Sequence, residues 1–311
     1  MNYDIKIKGD SLDDGTIEFD KLANITKVTK DIAAKALMLK LFGYSDLKVP
    51  SNVKNALSIK LEKISGNAKV GTHLLLEAST FNTIDGLQLD FFKPTLLEEL
   101  SSLTPMSLVI TSFSAALSEN SEDKNNLDKP LLKSLLQFKK SFTNVNETFL
   151  FSNRQSIPQI TLHHSDFKRI EQLDESIPDP QKVIITGRVD ELKYTKSQLV
   201  LITDDGNVHV QVKDSQLMNQ MTAFFGKDCT IQGMANYRLG GMLSFIEMQG
   251  FGQPDERDKY FSKKPKAMNA IQQVLFQAKQ GKKRNPFIDI VGKWPGNETE
   301  EEFEEMLKLL D

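Results

Sequence analysis

The sequence predicts an α+β N-terminal domain, then a small five-stranded β-barrel, then a C-terminal basic linker plus acidic helix. Three observations predict it. Between 183 and 251, short alternating apolar segments are separated by tight-turn residues and by one segment with helical spacing. Before 163, alternating and helix-spaced segments are mixed. After 252 the chain turns basic, and beyond 297 it turns acidic.

Composition bounds the rest. A chain of 311 residues with 39% hydrophobic and 26% charged residues is that of a soluble globular protein with room for two or three cores. No apolar run approaches the ~18 residues of a membrane span, so no membrane partner is expected. The opening MNYDIKIKGD is a polar alternating strand and not a signal peptide. With a single cysteine, Cys229, the chain cannot form an internal disulfide, and a reducing cytoplasm is expected. In a predicted strand, Cys229 reads as a small buried apolar residue. The net charge of −3 argues against a chain that coats nucleic acid along its whole surface, but is silent on local patches.

In chain order, 3–8 alternates as a first strand, and Asp13-Asp14-Gly15 is a turn. Residues 16–19 begin a short strand or lead directly into a helix. Leu22, Ile25, Val28 (or Thr29), Ile32, Ala36 and Leu39 then recur at helical steps, and Gly43 is the stop. Segments 56–64 and 70–78 alternate as a strand pair around Ser65-Gly66-Asn67. Pro94 opens a helix to 100, and 103–117 continues the pattern after Pro105. Residues 118–128 read as a loop, 130–142 as a helix, and 147–151 and 159–163 as short strands. Residues 167–174 fit a helical turn. Pro178 and Pro180 place a boundary within 176–181, which gives an α+β domain over 1–175.

The barrel, 182–252, comes next. Strands are expected over 183–192, 198–203, 208–212, 229–237 and 242–251. Asp204-Asp205-Gly206-Asn207 turns between the second and third, and Gly240-Gly241 before the last. Residues 214–225 carry Leu217, Met218, Met221, Phe224 and Phe225 at helical spacing, with Asp214 or Ser215 as N-cap and Gly226 as stop. Three strands, a helix and two strands in roughly 70 residues resemble an OB-fold, the small Greek-key barrel used to bind oligonucleotides.

Basic residues crowd 257–284, so 253–285 reads as a basic linker with a helix-capable stretch at 267–278. The tail, 286–311, holds the only tryptophan, Trp294. Its Thr299-Glu300-Glu301-Glu302 is a capping box. Phe303, Met306, Leu307 and Leu310 share one face of the helix that follows, and glutamates surround its N-terminal half, where the helix dipole favours them.

Catalytic chemistry is hard to find. His163 and His164 are adjacent on a strand, so they point to opposite faces and cannot chelate one metal as a pair. His209 alternates with Val208, Val210 and Val212 and is expected to face solvent. Asp204 and Asp205 precede Gly206 and read as turn formers. The chain has no HExxH, no nucleophile elbow and no phosphate-cradling glycine loop. A non-enzyme without cofactor or metal is the expectation.

Two binding surfaces remain. A barrel of this kind meets single strands through aromatics that stack on bases and cations that meet phosphates. Arg188, Tyr194, Lys196, His209, Lys213, Tyr237 and Arg238 are the residues available for that, with solvated barrel surface as the alternative reading. The tail offers Trp294 and Pro295 as an anchor, with Phe303 beside them and Glu298, Glu301 and Glu302 as charge. The alternative there is a tail packed on its own protein.

The whole resembles a group of bacterial proteins defined by motifs along the chain. These are Asp14-Gly15-Thr16-Ile17, Gly187-Arg188-Val189-Asp190, Asp204-Asp205-Gly206, Phe224-Phe225-Gly226-Lys227 and Arg238-Leu239-Gly240-Gly241. The closing signature runs from Gly292 to Glu301, with Asn297 where the pattern has Asp, and Met242 follows Gly241 where the hairpin is usually more basic. The tail is similar to those of bacterial antitoxins of PIN-domain toxins. The resemblance implies a toxin–antitoxin or defence component whose tail engages a protein partner such as a PIN-domain ribonuclease.

Overall fold

The structure is a computed structural model. It describes residues 1–9, 14–47, 49–81, 100–124, 126–153, 159–194, 197–256, 258–268, 272 and 275. The helix expected over 94–100 (except its last residue), most of 267–278 and the whole tail lie outside the described residues.

Met1–Pro265 form one compact unit. Its first half is a five-stranded antiparallel sheet of order β2-β3-β1-β4-β5. The strands are β1 (Asn2–Lys8), β2 (Ile59–Asn67), β3 (Gly71–Ala78), β4 (Thr148–Asn153) and β5 (Ile160–His163). On β1, Tyr3, Ile5 and Ile7 are buried while their alternate neighbours are half-buried, so one face of the sheet carries the core. Edge strand β2 is mostly exposed and charged, with Lys60, Glu62 and Lys63, which discourages pairing with another edge.

The helices are α1 (Phe19–Phe42), α2 (Ser51–Ala56), α3 (Pro105–Leu117), α4 (Ser121–Lys124), α5 (Lys129–Gln137) and α6 (Asp166–Ser176). Residues 16–18 are not a strand but lead directly into α1. The stripe Ile25, Val28, Thr29, Ile32 and Ala36 is buried as its spacing predicts. Gly43 then takes φ 76° and donates its N–H to the Leu39 carbonyl at 2.7 Å, a left-handed C-cap. Thr104 caps α3 in a reciprocal pair with Ser107, and Asp128 caps α5 by accepting from Leu131 N–H at 3.1 Å. Phe113, Phe138, Phe149, Phe151 and Phe167 fill the space between helices and sheet with edge and tilted ring contacts. Glu147 is fully buried and ion-paired with Lys21, and also accepts from Thr143 N–H at 2.7 Å.

Two expectations shift here. Ser65, Gly66 and Asn67 belong to β2, and the turn falls at 68–70, because the Asn67 side chain accepts from the Lys69 and Val70 amides at 2.9 and 3.2 Å. The 118–128 loop contains α4, whose entry is shaped by Asn120 accepting from Glu122 N–H.

The second half is a closed barrel of β6 (Gln181–Lys193), β7 (Gln198–Thr203), β8 (Gly206–Gln211), β9 (Asp228–Tyr237) and β10 (Leu243–Gly252). Neighbours run β10-β8-β7-β6-β9, and β9–β10 pairing closes the ring. β10 lies parallel to β8, while the other pairings are antiparallel. Between β8 and β9 sits α7 (Ser215–Met221), capped by Asp214, whose carboxylate accepts from Gln216 N–H at 2.7 Å. Ile185, Val189, Leu201, Val210, Ile231 and Ile246 fill the interior. At Gly233 the β9 backbone passes so close to β10 that a Cβ would lie 2.2 Å from the Glu247 carbonyl oxygen, which leaves room only for glycine.

The boundary expected at 176–181 separates sheet from barrel in sequence, yet both belong to the same compact unit. The stretch after β10 also departs from a free linker. Asp258 accepts from Thr230 Oγ1 at 2.7 Å, the Ser262 carbonyl accepts from Asp204 N–H at 2.9 Å, and Lys264 N–H reaches Asp205 at 3.2 Å. Asp204 and Asp205 thus act as a turn that also holds the departing chain. Among the described residues, no helix is long and apolar enough to cross a membrane.

Candidate functional site

The outer face of the barrel is set by register. The pairs Gln198↔Gln211, Val200↔His209 and Ile202↔Asn207 point outward, and the Leu199↔Val210 and Leu201↔Val208 pairs between them point in. A β-bulge near Asp190 keeps Arg188, Glu191 and Lys193 of β6 beside that outer row. An outward valine is ordinarily exposed, but Val200 is only 6% exposed, and it shares a cleft with the end of α1.

That docking is specific. The Gln198 side-chain amide donates to the Phe42 carbonyl at 3.3 Å. Past the Gly43 turn, the Tyr44 ring meets Phe245 of β10 with centroids 4.2 Å apart and planes tilted by 54°. Arg238, at the start of the β9–β10 connection, donates Nε–H to Ser244 Oγ at 3.1 Å and lies alongside Gly43. Behind this contact Ser45 ties α1 to α5. Its N–H and hydroxyl both donate to Asp128, at 2.8 and 2.5 Å. Burial pushes the Asp128 carboxyl up, and these hydrogen bonds and the charge of Arg238 pull against it. Burial also pushes the Tyr44 phenol up, reinforced by Asp46, Asp128 and Glu247, so the phenol keeps its proton.

Between the α1 end and the barrel lies a cleft of about 310 Å³. Lys40, Lys193, Arg238 and His209 line it, and Tyr44 and Phe245 supply its aromatic wall. The acidic residue in the lining is Glu191, ion-paired to Lys193 at 2.8 Å. The cations are partly balanced, Lys193 by Glu191 and Arg238 by the Asp128 charge, beside a flat apolar wall.

The residues singled out from sequence fall unevenly. Arg238 and His209 enter the cleft lining. Arg188 is exposed on β6 opposite Ile202. Tyr194 is half exposed at the β6–β7 loop, with its hydroxyl 3.4 Å from the Met218 carbonyl. Lys213 is exposed but paired with Glu247 at 2.9 Å. Tyr237 is 4% exposed and its hydroxyl has no partner among the described residues, so it is barrel interior and not a stacking platform. Alternation along β9 points it inward with Ala235 and Gly233. Lys196, Trp294, Pro295, Glu298, Glu301, Glu302 and Phe303 lie outside the described residues.

Lys40, Tyr44, Lys193 and Phe245 are site residues that sequence reading does not single out. The contact between Tyr44 and Phe245 joins positions about two hundred residues apart, and no local periodicity signals it. Two of the other three histidines make contacts elsewhere. His73 lies 2.9 Å from Asp4, and His164 sets its ring against Phe142. Among the described residues no cluster of three or more His, Cys, Asp or Glu side chains could hold a metal. Comparison of the chain with protein-family models and with curated proteins finds no match.

Proposed function

We propose that this is a cytoplasmic, non-enzymatic binding protein whose barrel is an OB-like module that engages single-stranded nucleic acid on the outer face of its second and third strands. The observation that carries this is the cationic and aromatic cleft formed on that face. The OB-like assignment is supported by the closed five-strand ring, the parallel β8–β10 pair and a helix between the third and fourth strands. Affinity would come from phosphates meeting Lys40, Lys193 and Arg238, and from bases set against apolar groups of the outer face. In this reading the α+β half is the platform that supplies one wall of the site.

The test is fluorescence anisotropy of a labelled oligo-dT or oligo-rU with the full chain over a salt series. For three phosphate contacts the slope of log K against log salt is expected near roughly −2. Absent or salt-independent binding would contradict the reading.

A second reading rests on the tail sequence. Trp294 followed by a capped acidic helix suits a peptide that clasps a basic groove, as an antitoxin does on a PIN-domain ribonuclease. Capture from the native host by full-length Trp294→Ala compared with the unaltered chain tests it. A protein partner that is lost with the tryptophan supports the antitoxin-like role, and unchanged capture counts against it.

A further inference from the structure

We infer that the α+β half holds a site for one small neutral ring molecule with a single hydrogen-bonding group, of the phenol class. Its residues come from α1 and the first three strands, and none from the barrel. In a helix, a buried serine or threonine can turn its hydroxyl back onto a carbonyl three or four residues earlier. Among the described residues, the other buried hydroxyls of the α-helices do so. Ser107 donates to the Thr104 carbonyl at 2.8 Å, Ser112 to that of Leu108 at 2.7 Å and Ser134 to that of Pro130 at 3.3 Å. Thr29 of α1 does not. It is 3% exposed, and its Oγ1 has no partner among the described residues. A buried hydroxyl left in that state costs free energy that a bound partner would recover.

Thr29 lines a cavity of about 120 Å³ between α1 and the edge of the sheet. Ile25, Leu74 and Leu76, all buried, line its inner part. Ile59 and Leu61 of β2 mark its opening. They pair with Ala78 and Leu76 of β3, whose side chains are buried in the core. Register therefore puts Ile59 and Leu61 on the core face, yet Leu61 is 38% exposed. β2 is the edge strand, and a bulge falls between Leu61 and Lys63. A bulge bends and twists its strand, and this corner of the core is left unfilled.

The lining decides what can enter. Besides Thr29, its polar side chains are Thr26 and Lys30. The Thr26 hydroxyl is already spent on the Leu22 and Ala23 carbonyls, at 2.9 and 3.0 Å. Lys30 is exposed, so its ammonium can stay in water. A buried water needs about two to four polar partners, and Thr29 offers the one hydroxyl not already donating. An organic molecule suits such a lining better. An apolar cavity of roughly 150 Å³ takes a benzene ring, so this one matches a single ring that reaches toward the opening. A charged ligand would lose its hydration with no counter-charge inside. The Thr29 hydroxyl can donate or accept, so one hydroxyl or carbonyl on the ring satisfies it.

The experiment titrates benzene, phenol and benzoate into the full-length protein and follows its isoleucine and leucine methyl signals by NMR. Both neutral rings are expected to shift the Ile25, Leu74 and Leu76 methyls saturably. Phenol is expected to bind about fivefold tighter than benzene, the size of one neutral hydrogen bond, and benzoate more weakly than either. Thr29→Val keeps the shape of the side chain and removes its hydroxyl. It should leave benzene affinity unchanged and lower phenol to the level of benzene, with the circular dichroism spectrum unaltered. Shifts that do not saturate, or that centre on other methyls, would overturn the site. Phenol no tighter than benzene, or a preference that survives Thr29→Val, would overturn the role of the hydroxyl. Benzoate as tight as phenol would overturn the neutral class. None of these outcomes bears on the single-strand reading.

Discussion

Phe138 and Phe225 show how differently the two halves of the molecule use their aromatic residues. Phe138 has no exposed surface and touches Phe113, Phe142, Phe149 and Phe151, with ring centroids 5.2 to 6.5 Å away. Phe225, beside the barrel's first strand, is 59% exposed, and Ile202, Tyr194 and Met242 are also exposed on the barrel. The α+β half buries most of its rings against helices and sheet, although Phe19 is 90% exposed. The barrel fills its small interior with aliphatic side chains and leaves several large apolar groups outside. Scattered exposed apolar residues are ordinary, and the first half has them too, at Met1, Leu61, Val70 and Val145. The aromatic cluster of the first half is buried, and the proposed contact face belongs to the barrel.

The largest expected effect lies in the platform. Phe138→Ala removes the ring at the centre of the cluster and should cost about 3–5 kcal/mol of unfolding free energy in a denaturant titration. A loss below about 1 kcal/mol would mean that the cluster relaxes, and would erase the contrast between the halves.

The opposite pattern is expected at Phe225. Phe225→Ala should leave stability within about 0.5 kcal/mol. Oligonucleotide affinity should fall by about 1–3 kcal/mol if a base stacks there. Full affinity in this variant would place the contact elsewhere on the barrel.

A smaller effect separates interior from surface within the barrel. Tyr237 buries a hydroxyl without a partner among the described residues, and burial pushes its phenol up. Tyr237→Phe should therefore be neutral or stabilising by up to about 1 kcal/mol, with unchanged strand binding. Weakened binding would return this residue to the contact surface.

The smallest effect belongs to Cys229, whose thiol is fully buried and pushed up to about 11 by burial. A raised folded value means that the folded state holds the proton more tightly than the unfolded chain. The associated stability is present below the ordinary thiol range and is lost as pH rises from there through about 11. A thiol reagent should accordingly label Cys229 only at the rate of transient opening, and fast labelling of the folded protein at neutral pH would contradict its burial.

Much of this architecture is legible in the sequence where the information is local. Alternation marks β7 over 198–203 to the residue, Asp214 marks the start of α7 and Gly43 the end of α1. Each depends on side chains a few positions apart. The hairpin turn after β2 is displaced because the Asn67 side chain selects a turn two residues beyond the Gly66 signal. The site is legible only in part. His209 and Arg238 can be picked from the barrel strands and loops, but the wall that shapes the cleft comes from Phe42, Gly43 and Tyr44 of a different sequence region. That contact is tertiary, made by ring packing and one side-chain hydrogen bond, and neither has a period or a spacing to read. The same holds for Asp258 and Ser262, which read as linker residues yet anchor the chain to the barrel.

The most direct test of the central claim is hydrogen–deuterium exchange of the full-length protein with and without a single-stranded oligonucleotide. Protection is expected to concentrate in 188–213, in 238–245 and in the 40–45 turn, with the sheet of the first half unchanged. Protection confined to the tail beyond 286, or none anywhere, would contradict it.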